Sequence, residues 1–311
     1  MTDVIRRQNI TYGVFLIVSA ALTISVQDVI FKLFSSELTL WQIFALRGFL
    51  AVPLLVTISW VRGEHRRVFR SAFGKWPLLR AAFITMTFLA FYTAIPFLSL
   101  STVGAANYIA PIFVTLLSAY AIKETVGVQG WLGVFLGFIG VLILLKPGTD
   151  AFSPWALLPI IGAAFYAIAH IITRAKCQHI SLAALSLSQN FMMFMAGVVV
   201  SIFMATFIFQ SEIADAYPYI FGVWSTVDLE DWLVLLLLAA FAVVVGMLLA
   251  GAYQAAPPSI IGTFEYSYLV FVAIWDIMFF DTTPTAISLT GMILIVVAGL
   301  LVLFRNPHES D

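Results

Sequence analysis

Glu265 is a carboxylate set in a long apolar stretch, flanked by Phe264 and Tyr266 with Tyr268 close by. At the centre of a lipid-embedded helix a charge costs roughly 2.5–3.5 kcal/mol, so such a residue faces a wet cavity or a partner. An aromatic-lined pocket with a few polar groups suits a small molecule. An acid there either pairs with a ligand amine, carries a proton, or is hydrogen-bonded between helices. Asp276 follows eleven residues on, three helical turns, so it is expected to share a face with Glu265, nearer the outside, as part of an exit path or outer gate.

Other polar residues sit in apolar surroundings. Asp28 and Lys32, spaced i, i+4, share a helix face, either as an intrahelical ion pair or with Asp28 bordering a cavity. Arg47 either neutralises Asp28 or holds neighbouring helix ends. His170 has Tyr166 one turn before it. It is either a pH-responsive group or a histidine satisfied by hydrogen bonds. Asn107 and Tyr108, Tyr92, and more weakly Tyr253 and Gln254, are further cavity candidates. Pro96 and Pro111 are either hinges or static bends.

These residues need elements to hold them, and composition says which. The chain of 311 residues is 62% hydrophobic and 10% charged, with a mean hydropathy of +1.05. A soluble domain is nearer 45–50% apolar. Lipid resolves the conflict. Net charge is −1, so no polybasic attraction to nucleic acid is implied, and the single Cys177 cannot form an intramolecular disulfide. Apolar runs predict ten spans, at 12–33, 38–60, 77–98, 102–122, 130–147, 154–175, 181–209, 232–254, 258–280 and 286–304. The first run follows Arg6 and Arg7 like a signal peptide, but it has a partner later in the chain, so retention is expected.

With the N-terminus inside, twelve Lys and Arg fall on inside connections (Arg6, Arg7, Arg62, Arg66, Arg67, Arg70, Lys75, Arg80, Lys123, Arg174, Lys176 and Arg305) against Lys32 and Lys146 outside. Both termini are therefore expected in the cytoplasm. The longest outside connection, around 210–231, is acidic, with an interfacial turn at Tyr217–Trp224.

The chain also repeats. At an offset of 142, Asp28 falls on His170, Lys32 on Arg174, Thr39 on Ser181, Arg47 on Gln189 and Phe49 on Phe191. At an offset of 158, Ser101 falls on Ser259, Gly104 on Gly262, Tyr108 on Tyr266, Phe113 on Phe271 and Gly133 on Gly291. Glu265 then aligns with Asn107, so the two are expected to face each other across a pseudo-symmetry axis. Two units of five spans, 8–148 and 152–306, must lie upside down relative to each other because five is odd. Such inverted repeats are a mark of secondary transporters.

The segment "YIAPIFVTLLSAYAIKETVGVQGWLGVFLGFIGVLILL" resembles an EamA-type repeat of the drug/metabolite transporter superfamily. Pro111, Glu124, Gly133, Gly137 and Gly140 fill the family positions. "FEYSYLVFVAIWDIMFFD" is similar to the family's span nine, with Asp281 where a glutamate is usual, Asp276 where a small residue is usual, and no proline. The start, "QDVIFK…R", resembles a subgroup that includes riboflavin and S-adenosylmethionine uptake proteins. The resemblance implies an all-α inner-membrane transporter working by alternating access.

The expected ligand is an amino acid or related small amphiphile, or else a larger aromatic or nucleoside-type metabolite. A proton is a candidate coupling ion, lipid is the surrounding partner, and a monomer suffices. No HExxH, GxSxG or CxxC motif is present, so no enzyme, metal or cofactor is expected. A channel is the remaining class, although no selectivity ring stands out. The substrate-binding candidates are thus Glu265, Tyr266, Asn107, Tyr108, His170, Tyr166, Asp28, Tyr92 and Tyr268. The gating or structural candidates are Asp276, Arg47, Lys32, Pro96 and Pro111.

Overall fold

The structure is a computed structural model describing residues 9–34, 38–94, 97–98, 100–146, 148, 153–208, 212–280 and 285–303. Every regular element among them is helical: α1 (Ile10–Phe34), α2 (Leu40–Val61), α3 (His65–Ala72), α4 (Lys75–Ala94), α5 (Leu100–Asn107), α6 (Ala110–Tyr120), α7 (Val128–Leu145), α8 (Leu157–Lys176), α9 (Leu182–Phe203), α10 (Glu212–Ala216), α11 (Pro218–Phe221), α12 (Leu229–Ala255), α13 (Pro258–Glu265), α14 (Ser267–Phe280) and α15 (Ala286–Leu303). Among the described residues, eight segments are long and apolar enough to cross a bilayer. Two shorter apolar stretches, Val128–Ile143 and Leu289–Val302, accompany them. This is a multi-pass membrane protein. The side chains of Lys32 and Asp276, and Pro96 and Asp281 altogether, lie outside the described residues.

Helix starts follow from local chemistry. Thr39 Oγ1 accepts from the Gln42 amide and caps α2, and Ser181 Oγ accepts from the Ala184 amide and caps α9. Asp228 and Asp231 form a reciprocal capping box on α12.

Helix pairs pack tightly: α1 on α12, α4 on α8, α2 on α9, and α7 on α15. Named contacts give their sense. The Asn9 amide donates to the Ala255 carbonyl, and Gly13 lies against Ala252 and Ala256, so α1 and α12 are antiparallel. Arg80 meets Thr173 while Thr87 Oγ1 donates to the Gly162 carbonyl, so α4 and α8 are antiparallel as well. Gly133 against Val302 and Gly140 against Gly291 give the same sense to α7 and α15.

Two expected spans are each broken into two helices, which the sequence reading did not foresee. The first breaks between α5 and α6 at Tyr108. Pro111 has no N–H to give the Asn107 carbonyl, and the Ile109 and Ile112 amides bond three residues back instead. Pro111 therefore sits in the first turn of a new helix, where proline is tolerated, and does not bend a continuous one. The second break, between α13 and α14, falls on Tyr266. There Ser267 Oγ takes the Phe264 carbonyl and the Leu269 amide bonds to Tyr266. This break also corrects the face argument for Asp276, since the turns between it and Glu265 are not one helix.

Small residues set the helix spacing. A Cβ on Gly197 would lie 2.5 Å from the Ala45 amide nitrogen and 2.9 Å from the Trp41 carbonyl oxygen, backbone atoms that cannot step aside. Gly197→Ala is expected to lower stability by about 1–3 kcal/mol. Gly299→Ala, 3.3 Å from a Phe264 ring carbon, is expected to be milder. Thermal unfolding of both detergent-solubilised variants checks the order; equal midpoints would refute this packing account.

Candidate functional site

Glu265 is the last residue of α13, seven residues past Pro258 and so about 10 Å along the helix axis. Its Oε1 accepts two hydrogen bonds, each 2.7 Å, from the hydroxyls of Tyr166 on α8 and Tyr253 on α12. Bonds to a carboxylate are roughly twice as strong as neutral ones. Glu265 as a residue is half-buried and Tyr253 is fully buried.

His170 fixes the two tyrosines. Its ring lies 4.0 Å from that of Tyr253, stacked, and 4.2 Å from that of Tyr166. It is completely buried, and neither ring nitrogen has a hydrogen-bond partner among the described residues. Of the two readings of His170, the hydrogen-bonded one is corrected: the ring packs against two tyrosine rings, stacked on Tyr253 and tilted against Tyr166.

A second group lies around Asp28. Tyr268 Oη donates to Asp28 Oδ2 at 2.6 Å, and Asp28 is exposed. The Tyr268 ring stacks on Tyr108 at 6.3 Å, and Tyr108 leans on Tyr266 at 6.0 Å. Tyr266 Oη also donates to the Tyr108 carbonyl at 3.3 Å, a carbonyl freed by the α5–α6 break. Tyr108 and Tyr266, which correspond at the offset of 158, therefore meet directly where their helices break. Asn107 is half-buried beside them.

Arg47 makes no ion pair with Asp28 among the described residues; its guanidinium lies 5.3 Å over the Phe44 ring. Phe44 in turn contacts Tyr92 edge-on at 5.5 Å. Above them the 217–228 connection is fastened to α2. Trp41 Nε1 donates to the Ile220 carbonyl, and Gln42 exchanges hydrogen bonds with Ser225.

Two charged features escaped the sequence reading. Arg80, counted there with the inside connections, is wholly buried in α4. Its Nε donates to Thr173 Oγ1 at 2.8 Å and its Nη1 to Gln189 Oε1 at 3.2 Å, tying α4 to α8 and α9. Only the polar Thr173 and Gln189 on facing spans hinted at it. At the far end, Arg174 Nε meets Glu124 Oε1 at 2.7 Å, and Arg174 Nη1 donates to the Gln254 carbonyl. Gln254 Nε2 donates to the carbonyls of Cys177 and Ile180. These bonds join the chain just after α6 to the ends of α8 and α12.

Beside them a cavity of about 580 Å³ is lined by Asn9, Glu64, Arg67, Gln178 and Gln254, among others. The chain at 9, 64–67, 178–182 and 254–255 thus comes together at one end of the bundle.

An all-helical membrane bundle with polar groups buried at its centre defines a class of integral membrane proteins, and comparison narrows it. Residues 11–146 match the EamA-like transporter family. Over its full length the chain is 21% identical to an S-adenosylmethionine uptake transporter of Rickettsia bellii, covering 99% of that protein. It is 25% identical to a riboflavin transporter of Brucella anthropi over 83% of this chain and 87% of that one. It is 24% identical to a pseudopaline exporter of Pseudomonas aeruginosa over 92% and 94%. One solved crystal structure superposes with a TM-score of 0.76 at 14% identity, covering 94% of this chain and 98% of that one, which shows a shared fold.

Tyr253→Phe and Tyr166→Phe each remove one donor to Glu265. Each is expected to lower stability by about 1–2 kcal/mol, and the double variant, which leaves the carboxylate with neither donor, by more than the sum of the two. Unfolding midpoints in detergent check this. Additive losses would mean that the two hydroxyls do not share one acceptor.

Proposed function

We propose that this protein is a secondary transporter of the inner membrane that moves a small amphiphilic metabolite by alternating access, with Glu265 at its substrate site. In this reading it has ten spans in two inverted repeats, 8–148 and 152–306, with both termini cytoplasmic. The observation that carries the site is the half-buried Glu265 held by tyrosines from two other helices.

Several facts support the repeat. Exchanging the halves turns the α1–α12 pair into α8–α4, and leaves the α2–α9 and α7–α15 pairs unchanged. The caps Thr39 and Ser181 correspond at the offset of 142, and the breaks at Tyr108 and Tyr266 at 158. The segments gathered around the 580 Å³ cavity all follow an even number of crossings on the ten-span count, which supports a common cytoplasmic face.

The Arg174–Glu124 pair closes that face, while Asp28 stays exposed on the other side of the tyrosines. An ion pair at one end that must part for the other state to form is what alternating access needs, because substrate binding has to differ between states. Glu265 then serves a substrate amine or a coupled proton. Tyr166, Tyr108, Tyr266 and Tyr268, with Asp28, Asn107, His170 and Tyr92, form the surrounding wall. Arg47, Lys32 and Asp276 belong to the gates.

A second reading, a larger aromatic or nucleoside-type substrate, is favoured by the tyrosine-rich wall and by relatives named for S-adenosylmethionine and riboflavin.

Glu265→Gln is expected to abolish or decouple transport while the protein still reaches the membrane. Uptake of labelled amino acids, S-adenosylmethionine and riboflavin into proteoliposomes tests this. Saturable, competable flux lost in the variant supports the reading. Unchanged flux would remove Glu265 from the site, and unsaturable flux would favour a channel.

A further inference from the structure

The short helix α3 joins α2 to α4 and reads HRRVFRSA, three arginines and no acid in eight residues. Val68 and Ala72 are buried against Ala51 and Leu55 of α2 and Leu187 of α9. Arg66, Arg70 and Phe69 are left exposed. This is the pattern of a helix lying along a membrane surface, with its apolar side down and its basic side at headgroup level.

Between α3, α2 and α9 runs a groove of about 320 Å³. Val56, Val68, Phe69 and Leu187 supply an apolar wall, and His65, Arg66 and Arg70 stand along its rim. Trp60 and Val61, beside it, are exposed apolar residues that only lipid can cover at low cost. Among the described residues no carboxylate pairs with Arg66 or Arg70. His65 Nδ1 is buried with no hydrogen-bond partner. The groove therefore has an apolar floor, two free guanidinium groups and an unsatisfied ring nitrogen at one rim.

We propose that this groove binds one anionic phospholipid, with an acyl chain along Val56, Phe69 and Leu187 and the phosphate on Arg66 and Arg70. Basic pockets between membrane helices suit such headgroups, and guanidinium forks match phosphate oxygens. A zwitterionic lipid offers the same chains without the net charge. The proposal is independent of the transported substrate, since α3 contributes nothing to the Glu265 site.

The test is lipid retention by the full chain, purified in detergent and exposed to equimolar phosphatidylglycerol and phosphatidylcholine, read by native mass spectrometry. Wild type is expected to keep phosphatidylglycerol in preference. Arg66→Gln with Arg70→Gln is expected to weaken that retention by at least about tenfold. Arg67→Gln, which lines the other cavity, is expected to leave it unchanged. Equal retention of the two lipids by wild type, or full retention by the double variant, would overturn the proposal. Should the double variant fold poorly, competition on wild type decides. Glycerol phosphate without acyl chains is expected not to displace the lipid, and displacement at similar concentration would mean a free-anion site instead.

Discussion

A carboxylate inside a membrane bundle persists only where donors come to it or water reaches it, and two tyrosine hydroxyls come to Glu265. These two bonds tie α8 and α12 to the end of α13. Burying such a group without partners would cost several kcal/mol. His170, stacked on Tyr253 and tilted against Tyr166, packs between the two donors without competing for the acceptor.

The two broken helices answer the same constraint from the backbone side. Each break frees carbonyls at mid-bundle, and one of these, at Tyr108, is satisfied by the hydroxyl of its counterpart Tyr266. Irregular backbone is tolerated at membrane depth only where it is buried in protein or lines a cavity. The breaks thus fall where Tyr108 and Tyr266 meet inside the bundle, and the proposed transport site is built around that meeting point.

Much of this was legible in the sequence because lipid imposes a simple pattern. Apolar runs gave the helices, and the fixed offsets aligned Thr39 with Ser181 and Tyr108 with Tyr266, residues that take equivalent places in the structure. Glu265 stood out as a carboxylate with aromatic neighbours, and Tyr166 as the residue one turn before His170. The breaks were not legible, because one depends on a missing N–H four residues from the carbonyl it leaves free, and the other on a serine hydroxyl. Arg80 was lost because a cation near a helix start looks like a surface residue until the facing Thr173 and Gln189 are known. Tyr253 was only a weak candidate, since its role depends on a partner twelve residues away across a turn.

The proposed function requires that the site at Glu265 open to each face of the membrane in turn. Cys177 is buried, and desolvation pushes its thiol up to about 11, so it is a quiet background for a single introduced cysteine. Asn107→Cys, labelled with a membrane-impermeant thiol reagent in vesicles of either orientation, tests the claim most directly. The account predicts labelling from both faces, in membranes that remain tight to ions. Labelling from one face alone, however long the exposure, would contradict it.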